Sequence, residues 1–147
     1  MSDDELLIGL FSMAGEIRGR KRLQKIVYVL KNMGVPFSAS YFKYYYGPFS
    51  RDIEARIIYL NYQGVIEEDT TISPSLEGEE IRSYAYRLTP QGKKYAEKHA
   101  INLGEYGVTL GLIEKLKTMD INKLVSLSYK IYDEPTSINE IRMELAS

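Results

Sequence analysis

Residues 44–64 read YYYGPFSRDIEARIIYLNYQG and predict a strand that turns sharply into a helix. The aromatic run that ends at Tyr46 is short, which favours a strand, and Gly47-Pro48 interrupts it. Ser50 is a good N-cap residue, because its hydroxyl can accept a hydrogen bond from a backbone N–H of the first helical turn. Gly64 is placed to end the helix. The residues expected to point inward are Ile53, Ile57 and Leu60, and those expected on the outward face are Arg51, Asp52, Ala55, Arg56 and Tyr59.

Two helices are predicted before this stretch. Ser2-Asp3-Asp4-Glu5 has the pattern of a capping box, so a first helix is expected to begin there, and Gly15 is placed to end it. After a turn at Arg18-Gly19, a second helix is expected from about Arg20 to Met33, because apolar residues recur along one side of it.

A hairpin and a fourth helix are predicted after it. Val65-Ile66 opens a short strand, Ser73 to Gly78 is expected to form a loop, and Ile81 to Leu88 is expected to return as a second strand. This is the outline of a wing with a long tip. Thr89-Pro90 then combines an N-cap with a proline at the first helical position, so a helix is expected to run from there to about Leu103.

Helical patterns continue to the end of the chain. They cover about Gly107 to Met119 and Ile121 to Asp133, and a short one follows Pro135. Ser137 and Glu140 form another capping box at the start of this last segment.

The order of these elements is close to that of a winged helix-turn-helix. We therefore predict an α+β, mostly helical fold, with a winged helix-turn-helix-like domain at residues 1–104. A C-terminal helical extension at residues 105–147 is expected to pack on it as a single globular unit. In this architecture the third helix would enter a DNA groove. The connection from Met33 to Ser50, however, is longer than the tight turn of a helix-turn-helix.

Composition bears on the kinds of site the chain can hold. It contains one His and no Cys, so Cys-based zinc or redox chemistry is excluded. His99 lies in a helical stretch beside Lys98 and is expected on a helix surface. No nucleophile with a base, no metal-ligand cluster and no glycine loop for a cofactor phosphate is recognisable. We expect no enzymatic activity, no catalytic residues, no metal and no cofactor.

The sequence also predicts a cytoplasmic protein without a membrane partner. Its longest apolar stretches, such as Ile26 to Leu30, are far shorter than a membrane span. The N-terminal residues Met1 to Glu5 are acidic where a signal peptide would be basic.

Charge is unevenly distributed, although the net charge is only −1. Residues 16–31 contain six basic residues and one acidic residue, a net charge of +5, whereas residues 67–80 of the predicted wing carry six acidic residues. A basic helix can lie against phosphates, but it can equally be a solvated face that balances the acidic wing. The candidate nucleic-acid-binding residues are Arg20, Lys21, Arg22, Lys25, Arg51, Ala55, Arg56 and Tyr59.

The aromatic run Tyr41 to Tyr46 allows two interpretations. Aromatic faces on a strand can stack on unpaired nucleic-acid bases. On a strand, however, alternate side chains face opposite sides, so at least half of the run is expected in the core.

Two segments resemble a known family. Residues 19–28 read GRKRLQKIVY and residues 44–50 read YYYGPFS, and the spacing of these segments is similar to that of the YwgA-like family of uncharacterised bacterial and archaeal proteins from about Leu6 to about Ile131. The resemblance implies a winged-helix-like fold and no established activity. Lys43-Tyr44-Tyr45-Tyr46 departs from the Phe-His-Tyr order usual in that family, so no role of that His carries over. A more distant similarity, to the Panacea domain of bacterial antitoxins, implies protein binding.

The two segments have a structural and a functional interpretation. Gln24 and Tyr28 lie on one stripe of the second helix, from which they could hydrogen-bond to the backbone of the Tyr-rich strand. The alternative is a binding site made of Arg20, Lys21, Gln24, Lys25 and Tyr28. We favour the structural interpretation.

Two functions follow from these patterns. The favoured one is a DNA-binding transcriptional regulator, possibly a homodimer through the helices after Gly107, with duplex DNA as its partner. The alternative is a protein-interaction module of antitoxin or adaptor type that does not bind DNA and that meets a basic protein at the acidic wing.

Overall fold

The structure, a computed structural model that describes all 147 residues, is an α+β fold with mostly helical secondary structure. The predicted class is therefore confirmed. The helices are α1 (Asp3–Ala14), α2 (Arg20–Asn32), α3 (Arg51–Tyr62), α4 (Pro90–Lys98), α5 (Leu110–Thr118), α6 (Ile121–Asp133) and α7 (Ile138–Ala146). The strands are β1 (Glu16–Arg18), β2 (Phe42–Tyr44), β3 (Gly47–Phe49), β4 (Ile66–Pro74) and β5 (Glu80–Leu88).

Most helices begin at the cap residue that the sequence predicts. The hydroxyls of Ser2, Ser50, Thr89 and Ser137 each accept a hydrogen bond from a backbone N–H three residues later. Such bonds satisfy donors that the first helical turn leaves free, so the start of a helix is encoded within a few residues.

Strand β1 was not predicted. It pairs antiparallel with β5, and β5 pairs antiparallel with β4, so the strand order of the sheet is β1-β5-β4. The strand has only three residues, too few for an alternating pattern, and its central residue Ile17 is fully buried. Its position depends on the partner strand and not on local sequence.

The Tyr-rich stretch is a hairpin and not one strand. Strands β2 and β3 pair antiparallel, with Phe42 opposite Phe49 and Tyr44 opposite Gly47, so that Tyr45 and Tyr46 form the turn. The expectation that at least half of the run lies in the core is wrong, because Lys43 to Tyr46 are all exposed. A two-stranded hairpin has one face against the protein, and its turn projects outward.

The wing and the following helix differ from prediction in length. Strands β4 and β5 are longer than expected, and the turn lies at residues 75–79. Helix α4 ends at Lys98 and not near Leu103, because the chain leaves the helix at Ala100 and buries Ile101 and Leu103. Helix α5 starts at Leu110 and not at Gly107, because the Thr109 hydroxyl caps it there.

One hydrophobic core connects the two parts of the chain. Its 35 buried residues come from both sides of residue 104 and include Leu6, Leu30, Ile113, Leu124 and Ile141. Helix α5 packs on α1, and α6 packs on α2 and β3. The boundary between residues 104 and 105 stays a prediction. None of the helices combines the length and the apolar character needed to cross a bilayer.

A substitution at Gly92 tests how closely α4 packs against the sheet. A Cβ atom at this position would clash with the carbonyl oxygen of Val65, which is backbone and cannot rotate away. We expect Gly92→Ala to lower the free energy of unfolding by about 2–3 kcal/mol, as overpacking does.

Urea denaturation followed by circular dichroism measures this change. The matched control is Gly111→Ala in α5, where the added Cβ meets nothing closer than 3.9 Å. The control should stabilise the protein by up to about 1 kcal/mol through helix propensity. Equal stability of the two variants would contradict the close packing at Gly92.

Candidate functional site

A buried side chain of α2 joins the two segments that carry the family resemblance. The Nε2 of Gln24 donates to the carbonyl oxygen of Ser50 (2.9 Å), and the backbone N–H of Ser50 donates to the Oε1 of Gln24 (3.0 Å). Both residues are buried. The amide of Gln24 therefore pairs with the backbone as a neighbouring strand would. The sequence predicted a hydrogen bond from Gln24 to the backbone of the Tyr-rich strand, but the bonds are made to Ser50, after the hairpin. Tyr28 differs, because its ring packs edge-on against Tyr41.

Lys25, the residue after Gln24 on α2, also bonds to the backbone of this hairpin. Its Nζ donates to the carbonyl oxygen of Pro48 (2.8 Å), and the residue is only 2% exposed. Burial, together with the smaller effect of the nearby charge of Lys21, lowers the pKa of the Lys25 ammonium to about 8. Lys25 is thus enclosed in the protein and has no acidic partner.

Removal of the Gln24 amide should destabilise the fold. Gln24→Leu keeps the approximate volume but leaves the buried N–H of Ser50 without a partner, which costs about 1–3 kcal/mol. The Ser50 carbonyl loses one of its two hydrogen bonds and keeps the one from the backbone N–H of Glu54. We expect the free energy of unfolding to fall by about 1–3 kcal/mol in urea denaturation. Asn32→Leu is the control, because Asn32 donates one bond to the Tyr28 carbonyl at a half-buried position of the same helix. A loss no larger than that of the control would contradict the role of Gln24.

Lys25 should make stability depend on pH. Its folded-state pKa of about 8 lies below the ordinary 10.5, so the unfolded chain binds the proton more tightly. The resulting destabilisation is complete below pH 8 and is relieved as the pH rises toward 10.5. Each pH unit between the two pKa values corresponds to about 1.4 kcal/mol, so the full effect is about 3 kcal/mol.

The comparison of wild type with Lys25→Met isolates this term, because both proteins share all other titrating groups. Between pH 7 and pH 9.5, the free energy of unfolding of the wild type should rise relative to that of the variant. Parallel pH profiles for the two proteins would show that the ammonium is not penalised by burial.

The basic residues near the start of α2 have partners within the chain. The Nε of Arg20 donates to the Tyr86 hydroxyl (3.1 Å), and its guanidinium lies 3.7 Å from the ring centroid of Tyr84. Arg22 donates to the carbonyl oxygens of Leu116 (3.0 Å) and Met119 (2.8 Å) and so holds the end of α5. Of the candidate residues on α2, Arg22 and Lys25 therefore use their charged groups to hydrogen-bond to backbone carbonyls of other elements.

Lys21 is the residue of this group that lies nearest to the hairpin tip. Its Nζ lies 3.8 Å from the ring centroid of Tyr46. Both side chains belong to the surface and not to the core. The structure therefore brings Lys21 to the exposed aromatic turn. It places Arg20 beside Tyr84 and Tyr86, on the face of the sheet that carries the buried side chain of Tyr86.

The candidates on α3 are divided between the surface and an ion pair. Arg51, Ala55 and Tyr59 lie on the exposed side, as predicted. Arg56 instead forms a two-point salt bridge with Asp4, with its Nε at 2.6 Å and its Nη2 at 2.9 Å from the two carboxylate oxygens. This pairing raises the pKa of Arg56, chiefly through the hydrogen bond to Asp4.

The comparisons with known proteins give one relative. The uncharacterised protein YwgA of Bacillus subtilis (strain 168) is 35% identical over 91 residues, which are 62% of this chain and 52% of the relative. This relative supports a YwgA-like family. The resemblance stated from the sequence is thus confirmed, whereas the similarity to the Panacea domain is not shown. The chain spans about half the length of this curated relative.

Two other comparisons gave no match. No family model matches this chain. No solved structure matches it either.

The acidic residues at the base of the wing are neutralised inside the chain. Arg87 forms salt bridges to Asp69 (2.7 Å), Glu67 (2.8 Å) and Glu16 (3.1 Å), and the first two raise its pKa. Glu68 lies 3.6 Å from Arg20. The acidic residues near the tip are Glu77, Glu79 and Glu80, and Glu80 lies 3.9 Å from Arg82. A basic protein partner at this tip stays a prediction.

Sequence reasoning missed the exposed apolar side chains of α3. Ile58 is 63% exposed and Tyr62 is 86% exposed, and they lie on one stripe with Arg51 and Ala55. The signal was present in the sequence, since Ile58 directly follows the inward Ile57 and cannot share its face. The helix therefore shows an apolar outward stripe.

This stripe is continuous with the exposed hairpin. Phe49 of β3 and Ile58 of α3 line the same cavity. The Phe49 ring centroid lies 5.7 Å from that of Tyr44, which lies 4.6 Å from that of Tyr45. We call this region the α3–hairpin surface, and define it by Tyr44, Tyr45, Tyr46, Phe49, Arg51, Ala55, Ile58 and Tyr62.

Helices α5 and α7 expose further apolar side chains. Leu110 and Met143 are the most exposed of these. The homodimer predicted through the C-terminal helices would use such residues, and it stays a prediction.

Proposed function

We propose that this protein is a protein-interaction module with winged-helix architecture, and that it binds its partner through the α3–hairpin surface. This is the alternative that the sequence left open, placed on a different surface from the acidic wing. The charge and the exposed side chains of α3 support it over DNA binding.

The order of elements supports a winged helix. Helix α1, strand β1, helices α2 and α3, strand β4, the wing and strand β5 follow one another, and the sheet has the order β1-β5-β4. The hairpin of β2 and β3 occupies the connection between α2 and α3, where a helix-turn-helix has a tight turn. In this architecture α3 occupies the position of a recognition helix.

The observation that carries the proposal is the composition of the outward side of α3. Arg56 is neutralised by Asp4, and Arg51 is balanced by the exposed Asp52 and Glu54. Duplex DNA carries one negative charge per ~1.7 Å of its axis, so a groove-reading helix needs an excess of positive charge. Helix α3 has no such excess.

The α3–hairpin surface has the chemistry of a protein interface. Tyrosine and arginine are enriched in the energetic centres of such interfaces, whereas lysine, glutamate and aspartate are depleted there. This surface presents several exposed tyrosines, Ile58 and Arg51 side by side. Because Gln24 and Lys25 fix the hairpin on α2, the surface is preformed and loses little entropy on binding.

A pair of substitutions on this surface tests the proposal. We expect immobilised wild-type protein to capture a defined partner from native extract at physiological salt. Ile58→Ser with Tyr62→Ser should weaken the binding of that partner, once purified, by at least about tenfold in calorimetry, as loss of interface anchors does. Both residues are exposed, so the variant should keep the wild-type circular dichroism.

Met143→Ser is the matched control, because it removes an equally exposed apolar side chain from α7. It should leave the affinity unchanged. Wild-type affinity in the α3 double variant would exclude the α3–hairpin surface as the interface.

A DNA-binding regulator is the second candidate function. It is favoured by the element order and by Arg20 and Lys21 at the start of α2, a position from which helix-turn-helix proteins contact phosphates. Fluorescence anisotropy with a random duplex and a single strand, titrated from low to physiological salt, separates the two functions. A regulator would bind the duplex with a steep salt dependence and lose binding on Arg51→Ala with Arg56→Ala. The interaction module should bind neither nucleic acid at low salt.

A further inference from the structure

A cavity of about 300 Å³ lies between α2, α3 and the strands, beneath the α3–hairpin surface. Its walls are largely hydrocarbon and aromatic. They are formed by Leu23 of α2, Phe49 of β3, and Ile53, Ile57 and Ile58 of α3. This volume lies at the lower end of the range of small-molecule sites, about 300–1,000 Å³. The cavity can therefore enclose a small apolar body.

Two of the charged groups that line the cavity are already paired. Arg20 lies 3.6 Å from Glu68 and donates to the Tyr86 hydroxyl, while its guanidinium stacks on Tyr84. These contacts restrain Arg20 and offset its charge.

Glu54 is the charged lining group without a partner. It takes part in none of the ion pairs of the chain. It is exposed on α3, one turn before Ile58, and so stands where the cavity opens to solvent. With Arg20 and Glu68 paired, the lining carries a formal charge of −1.

We propose that this cavity binds a small amphipathic amine, with an aromatic or branched hydrocarbon body between Leu23 and Ile57 and a protonated nitrogen at Glu54. Burial of the apolar body supplies the general affinity. The protonated nitrogen supplies selectivity for amines, because its positive charge offsets the negative charge of the Glu54 carboxylate. An anion of the same shape meets two carboxylates and an arginine that is already engaged. The site stands independently of the proposed function, since it requires only the isolated chain.

The chain contains no Trp, so indole fluorescence reports on an added ligand alone. The probes are tryptamine, 3-methylindole and indole-3-propionate, which share the ring and differ in charge. Their affinities are measured by fluorescence anisotropy of the indole at physiological salt and neutral pH. We expect tryptamine to bind most tightly and indole-3-propionate most weakly.

Two variants assign the binding to its residues. Glu54→Gln keeps the size of an exposed side chain, and it should weaken tryptamine about twofold to fivefold, the range of a solvent-exposed ion pair, while leaving 3-methylindole unchanged. Ile58→Ala should weaken all three probes. Glu77→Gln at the wing tip is the control and should change none of the affinities. In spectra of isotope-labelled protein, tryptamine should shift the methyl signals of Ile53, Ile57 and Ile58.

Three results would overturn the proposal. The first is the absence of binding by all three probes at millimolar concentration. The second is tightest binding of indole-3-propionate, which would mean that Arg20 and not Glu54 sets the preference. The third is an unchanged tryptamine affinity in Glu54→Gln. None of these results depends on whether the protein binds a partner, so the two proposals can fail separately.

Discussion

The pairing of the Gln24 amide with the backbone of Ser50 is the constraint on which the candidate surface depends. Ser50 directly follows β3 and caps α3, so a single buried contact sets where the hairpin stops and where the helix begins. Lys25 adds a second bond one step along, to Pro48. Because buried polar groups are costly when unpaired, these side chains stabilise only one arrangement of α2, hairpin and α3.

The cations of the chain act mainly as internal connectors. Arg87 joins β1, β4 and β5 through three carboxylates, Arg56 ties α3 to the first turn of α1, and Arg22 holds the end of α5. Within residues 16–31, Arg20 lies near Glu68, Arg22 donates to backbone carbonyls and Lys25 is buried. The net charge of +5 in this segment therefore does not produce an equally positive surface. Charge counted along the sequence overstates the field that a phosphate backbone would meet, since short-range pairing offsets it.

The α3–hairpin surface and the cavity beneath it have walls in common. Phe49 and Ile58 belong to both, so the same two elements that present tyrosines outward also close an apolar space inward. Large apolar side chains on a rigid support are typical of sites that bind other molecules. The aromatic hairpin is the feature that distinguishes this chain from a helix-turn-helix with a tight turn.

The sequence by itself determined the helices, because their signals are local. A cap residue such as Ser2, Ser50 or Thr89 and an apolar stripe act within a few residues, and the structure starts the helices there. The sequence also indicated that Gln24 bonds to backbone, but only the tertiary structure decided that the partner is Ser50 and not the Tyr-rich strand. Only the tertiary structure decided strand β1, the exposure of the hairpin tyrosines and the pairing of the arginines. These depend on contacts between residues far apart in sequence, such as Arg56 with Asp4, and no short pattern encodes which distant element will cover a side chain.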